Sequence, residues 1–169
     1  EFFDSRIAAT PTAVIQRATT GDFANVVSSP QAKIVVSASG FVVALNTSNN
    51  EDEWHCSAYL DETDWAISVA TQCTSGRLLG SPGPIVAAAR FGDDIVAYKS
   101  RSMYVGTYVG APEVWRWRQV STEVGCTGID AIADTPKGHV FQGADGIYLY
   151  DGTTPKRLGD GVINSWYVT

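Results

Sequence analysis

The chain has 169 residues, 44% hydrophobic and 18% charged, enough for one ordinary domain with a buried core and too apolar for a disordered tail. Its net charge of −6 and pI near 4.7 repel a phosphate backbone, which argues against a nucleic-acid-binding module. An acidic wall does suit a surface that DNA must slide past without sticking, and no apolar run approaches the ~18 residues of a membrane span.

Gly is abundant at 16 residues, aromatics make up 11%, and strong helix formers are sparse, so an almost entirely β fold is predicted. No signal peptide is visible, and position 1 is Glu, which reads as a processed chain or a piece of a longer one. Residues 1–30 hold two irregular strand candidates, Thr12–Gln16 and Phe23–Val27, around a Thr20-Gly21-Asp22 turn. They read as strands of a partial blade or as a linking segment.

From residue 31 the pattern sharpens. Lys33–Ser37 is a strand, Ser39-Gly40 a turn, and Phe41–Leu45 a continuous apolar run of the kind covered on both faces. Asn46–Glu53 reads as a polar loop, Trp54–Leu60 as a strand, and Asp61–Asp64 as an acidic turn. Gln72–Pro84, rich in Gly and Pro, reads as a loop. Ile85–Phe91 is a strand that enters the clearest stretch, Phe91–Trp117. There a Gly92-Asp93-Asp94 turn, Ile95–Tyr98, a polar turn Lys99–Ser102, Met103–Val109, and a break at Gly110-Ala111-Pro112 lead to Trp115-Arg116-Trp117-Arg118. The last four alternate at period two, the mark of a strand with one buried face. Ile129–Ala133, Gly138–Gln142, Ile147–Tyr150 and Lys156–Leu158 complete the series.

These segments repeat. Phe41–Leu45, Ile95–Lys99 and His139–Gly143 occupy equivalent places, about 54 and then 44 residues apart, each after another strand. Tyr108–Pro112 matches Tyr150–Pro155, and Tyr59–Trp65 matches Val109–Trp115. A period of ~40–50 residues is that of propeller blades, each a four-stranded meander. The predicted architecture is therefore all-β, a propeller-like array of about three four-stranded antiparallel blades at 31–80, 81–128 and 129–169. Closed propellers have ~4–8 blades, so three imply a small or incomplete ring, or part of one completed by other sequence or another subunit. A β-sandwich is the alternative. Trp54, Trp65, Tyr98, Tyr104, Trp115, Phe141 and Tyr148 are expected to fill the spaces between sheets.

Motifs for chemistry are sparse. There is no Gly-x-Ser-x-Gly and no phosphate-cradling loop leading into a helix. His55 and His139 have no partners at metal spacing and read as structural. Cys56, Cys73 and Cys126 read as buried free thiols, with a Cys56–Cys73 bridge as the alternative. Glu51-Asp52-Glu53 and Asp61-Glu62 with Asp64 read as solvated turns rather than a calcium site. No catalytic, cofactor or metal residue is singled out, and no enzymatic activity is expected.

A resemblance follows from particular residues. Gly92–Gly110 (GDDIVAYKSRSMYVGTYVG), the Trp-rich strand after it, the Gly125-Cys126-Thr127-Gly128 turn and Gly138–Gly159 (GHVFQGADGIYLYDGTTPKRLG) resemble the propeller-like domains of tail, nozzle and neck proteins of tailed bacteriophages. The hairpin Ala144–Arg157 carries most of the likeness, which covers about Ile85–Trp166. It implies a structural virion protein that assembles with copies of itself and other virion proteins, near a DNA channel, with no membrane contact and no catalytic residues. The alternative is recognition of a host receptor or carbohydrate through loop aromatics such as Trp54 and Trp115.

Overall fold

Apolar residues at alternate positions leave a strand two faces to cover, and this chain covers them by stacking sheets. A computed structural model describes residues 15–19 and 23–159. A short hairpin comes first, β1 (Gln16–Ala18) paired with β2 (Phe23–Asn25). Residues 12–14 of the expected strand Thr12–Gln16 and the turn at 20–22 lie outside the described residues; the strand's last residue, Gln16, opens β1.

Three antiparallel meanders of four strands follow, each hydrogen-bonded in chain order. The first sheet is β3 (Ala32–Ala38), β4 (Phe41–Thr47), β5 (Glu53–Cys56) and β6 (Ser75–Arg77). The second is β7 (Ile85–Phe91), β8 (Asp94–Lys99), β9 (Met103–Gly110) and β10 (Val114–Ser121). The third is β11 (Ile132–Thr135), β12 (Gly138–Gln142), β13 (Ile147–Tyr150) and β14 (Pro155–Arg157). The three repeated apolar segments sit in β4, β8 and β12, the second strand of each sheet. Tyr108–Pro112 and Tyr150–Pro155 both form the passage from third to fourth strand.

Turn chemistry sets the register. Ser39 and Gly40 both have positive φ, 51° and 80°, and join Ala38 to its partner Phe41 as a two-residue hairpin turn whose twist matches the strands. Gly92, at φ 62°, opens the equivalent turn between Phe91 and Asp94.

The sheets pack face to face through two buried clusters. Between the first and second lie Ile34, Val43, Leu45 and Trp54 against Ile95, Ala97, Tyr104 and Trp115. Between the second and third lie Val96, Tyr98, Met103 and Val105 against Phe141, Tyr148 and Tyr150. Alternation sends Ile95 and Ala97 to one side of β8 and Val96 and Tyr98 to the other. A third cluster, with Val26, Val42, Ala44 and Trp65, covers the far side of the first sheet beneath the β1–β2 hairpin. Neighbouring sheets meet along their first strands: β3 lies against β7, and β7 against the turn that leads into β11. This fanning from first strands is propeller-like; a layered sandwich describes the same face-to-face packing, and none of the sheets closes into a barrel.

Four expectations need correction. The strand expected at Trp54–Leu60 stops at Cys56, because the chain reverses at Leu60, which has φ 58°. The loop expected at Gln72–Pro84 contains β6, where Gly76 lets the Trp54 ring lie on the neighbouring backbone. Ile129–Ala131 is a 3₁₀ turn, and β11 begins at Ile132. The match of Tyr59–Trp65 with Val109–Trp115 fails, since Trp115 is in a fourth strand and Trp65 in a connection.

Candidate functional site

One connection breaks the repetition. The third and fourth strands are joined by residues 111–113 in the second sheet and 151–154 in the third, but by residues 57–74 in the first. This long connection is fixed by its own bonds. The Ala58 amide donates to the Asp64 carbonyl (2.7 Å), Tyr59 to Thr71 (2.9 Å), and Leu60 to Gly40 (2.8 Å). The Asp61 carboxylate accepts from the Thr63 amide (2.9 Å) and hydroxyl (2.6 Å), and these bonds hold its pKa below the usual value. Asp64 accepts from the Ala66 amide (2.9 Å).

The connection is anchored to the hairpin and to the first sheet. Arg17 pairs with Glu62 at 3.0 Å, and the Ser28 hydroxyl donates to the Thr63 carbonyl at 2.6 Å. Trp65 is 4% exposed, meets His55 edge-on, and donates its indole N–H to the Glu62 carbonyl at 2.8 Å. So anchored, the connection presents large apolar side chains to solvent: Leu60 is 72% exposed, Ile67 65% and Val69 66%. At its root Tyr59, half exposed, stacks on Tyr108 with ring centroids 6.2 Å apart and planes 5° from parallel.

The other end of the stack is different. Cross-strand pairing places Ala133, Val140, Leu149 and Lys156 in one row on the third sheet, on the face turned away from the second. Gln142 and Ile147 form the next row. Among the described residues, none of the six belongs to a buried cluster, and Val140, Ile147 and Leu149 are half-buried.

The residues singled out from sequence fall into the body of the fold. Trp54 and Trp115 are 6% and 3% exposed between the first and second sheets, which corrects the expectation that they could meet a carbohydrate. Trp117 also faces the first sheet, its ring over Gly106 of the neighbouring strand, while Arg116 and Arg118 are exposed on the opposite side. Arg116 is held by Glu113 at 2.6 Å.

His139 is fully buried and bridges the second and third sheets. Its Nε2 lies 2.8 Å from the Arg90 carbonyl, so that nitrogen carries the proton; Nδ1, 2.9 Å from the Tyr98 hydroxyl, then accepts from it. Burial holds the His139 pKa below 6.5 and does the same to His55. The three thiols are free and buried; burial pushes Cys56 up to about 11 and Cys73 up to about 12, and raises Cys126. Asp52 is paired with Arg77 at 2.7 Å. Among the described residues, no three His, Cys, Asp or Glu side chains converge in a metal-binding group.

Sequence reasoning missed one buried charge. Lys99, expected in an exposed polar turn, ends β8 at 1% exposure. Its Nζ donates to the Leu78 and Ser81 carbonyls, both at 2.7 Å, and so fixes the linker between the first and second sheets. Burial lowers its pKa. The alternating pattern of β8 carried to position 99 was the available signal.

No protein-family description matches the sequence, and no curated protein is significantly similar to it.

Proposed function

We propose that this chain is a structural component of a tailed-bacteriophage virion, in the tail, nozzle or neck, where it assembles with copies of itself and with other virion proteins near the DNA path. The observation that carries the reading is the stack of three sequential four-stranded meanders, with the Ala144–Arg157 hairpin containing β13 and β14 of the last. Such a stack is a rigid spacer: its sheets are locked by aromatic clusters, and the buried polar groups Lys99 and His139 bond across or between sheets. The net charge of −6 lets a DNA backbone pass without being held. Cross-linking mass spectrometry on purified particles of the phage that encodes the chain tests this. Cross-links to tail or neck proteins are expected, and particles without the chain would refute the reading.

A second reading, recognition of a host receptor or glycan, is favoured only by the half-exposed Tyr59 stacked on Tyr108. A glycan array separates it from the first, with binding lost in Tyr59→Ala.

A further inference from the structure

We propose that His139 is an acid-sensitive latch. When its imidazole gains a second proton it no longer fits between the second and third sheets, and the third sheet undocks as a unit while the first two stay packed. The device belongs to the fold itself and does not depend on the proposed role in assembly.

The third sheet is built to leave in one piece. Among the described residues its four strands pair only with one another, and the chain enters it through a single crossing. The Cys126 amide still bonds the second sheet, at the Lys99 carbonyl (2.9 Å). The next amide, that of Thr127, already bonds the third, at the Gln142 carbonyl (3.0 Å).

His139 stands in the docked face, fully buried, and both ring nitrogens reach the second sheet: Nε2–H the Arg90 carbonyl, Nδ1 the Tyr98 hydroxyl. A second proton goes to Nδ1 and points at that hydroxyl. The hydroxyl, until then the donor, must turn its own proton away from the ring while a full charge sits in a closed apolar cluster.

The groups around the ring do not compensate. From β7, Arg90 offers its carbonyl alone, since its guanidinium lies in solvent beside Asp93. Tyr98 faces the ring from β8, and Cys126 in the linker is a buried neutral thiol. Tyr150 is the cross-strand partner on β13; Arg118, Asp94 and Asp151 act on its hydroxyl rather than on the imidazole. Asp134, the partner on β11, is exposed. Burial outweighs the pull of the Arg90 carbonyl and of Asp134, and holds the ring neutral.

The first and second sheets are joined differently. Asn46 donates to the Ile85 carbonyl (2.8 Å), the Ile85 amide to the Glu51 carbonyl (2.9 Å), Ser39 to the Asp93 carbonyl (2.8 Å) and Tyr108 to Gln72 (2.7 Å). None of these groups is an imidazole or a carboxylate. His55 lies away from that interface, half-buried on the far side of the first sheet against Trp65. Mild acid therefore reaches one interface and spares the other.

The chain's own thiols test this. Cys126 is buried between the second and third sheets, whereas Cys56 lies between the first and second, and Cys73 in the long connection of the first. Labelling of the full chain with a pyridyl disulfide, which stays reactive in acid, is followed by mass spectrometry from pH 7.5 to 4.5. Each rate is divided by that of the denatured chain at the same pH. Cys126 is expected to label faster with each step below pH 6.5, by about tenfold at pH 5.5, because the undocked imidazole takes up a proton that the docked one refuses. Cys56 and Cys73 should stay slow. In His139→Gln, which does not titrate, the Cys126 profile should be flat above pH 5; in His55→Gln it should keep its rise. A Cys126 rate indifferent to pH overturns the latch. So does a rise shared by all three thiols, one that survives in His139→Gln, or one lost in His55→Gln. Should circular dichroism show His139→Gln unfolded at pH 7.5, the wild-type onset decides: a rise that starts only below pH 5, where carboxylates titrate, overturns the latch.

Discussion

Removing the Tyr98 hydroxyl tests the bridge between the second and third sheets. In Tyr98→Phe, His139 keeps its bond to the Arg90 carbonyl, but its Nδ1 lone pair, fully buried, loses its donor. An orphaned buried acceptor costs about 1–3 kcal/mol, so a loss of about 2 kcal/mol is expected, or about 4–8 °C in Tm for a chain of this size. His139→Leu orphans both the Tyr98 hydroxyl and the Arg90 carbonyl and should cost more. In the double variant the Tyr98 orphan and the Nδ1 orphan both disappear, while the Arg90 orphan is common to both His139 variants and cancels. The double variant should therefore be about 2–4 kcal/mol more stable than the sum of the singles predicts. Urea unfolding at pH 7.5 measures all four corners of the cycle. Additivity within about 0.5 kcal/mol would show that the two side chains do not depend on each other, and the bonding scheme would be wrong.

Acidification should weaken the fold in the same region. His139 and His55 titrate below 6.5 when folded, so the unfolded chain binds more protons, and their contribution to stability is lost as pH falls below about 6.5. His139→Leu should flatten the dependence of the urea midpoint between pH 7.5 and 5.5; an unchanged slope argues against it. Gly125→Ala should be among the worst single changes, because its Cβ would sit 2.0 Å from the Lys99 carbonyl oxygen and 2.6 Å from the Arg101 amide. A loss of about 3 kcal/mol or more is expected in denaturant, and a neutral result would refute the packing of that turn. Lys99→Met leaves the Leu78 and Ser81 carbonyls without a donor while removing a desolvated ammonium; a net loss of about 1–3 kcal/mol is expected from the same assay. The three buried thiols should resist iodoacetamide at pH 8 until denaturant is added, and labelling of the native chain would contradict their burial.

The strands that sequence located best are those with strong β formers between unambiguous turns. Ile85–Phe91, Gly138–Gln142 and Ile147–Tyr150 have the bounds expected. The apolar run Phe41–Leu45 read as covered on both faces, and every residue of β4 is buried. Ser75-Gly76-Arg77 has no periodic signal; it is a strand because β5 offers it an edge and Trp54 covers its glycine. Ser57–Leu60 follows a strand without a Gly or Pro break, yet a positive φ at Leu60 turns it away, and that is a tertiary choice. The two surfaces at the ends of the stack were not legible at all. Exposure of Leu60 and Ile67 depends on which neighbours pack around them, and apolar residues on a short segment read as core until those neighbours are placed.

The placement of the middle sheet has a consequence for how the chain is made and how it comes apart. Every hydrogen-bond ladder joins strands consecutive in sequence, so each meander can form locally as it is synthesised, and only docking requires distant partners. A chain severed between Ser121 and Ile129 would keep ten paired strands yet bare Tyr98, Met103 and Val105 to water. Such a fragment would be sticky rather than unfolded, and its aggregation would be the first sign that the final sheet had been lost.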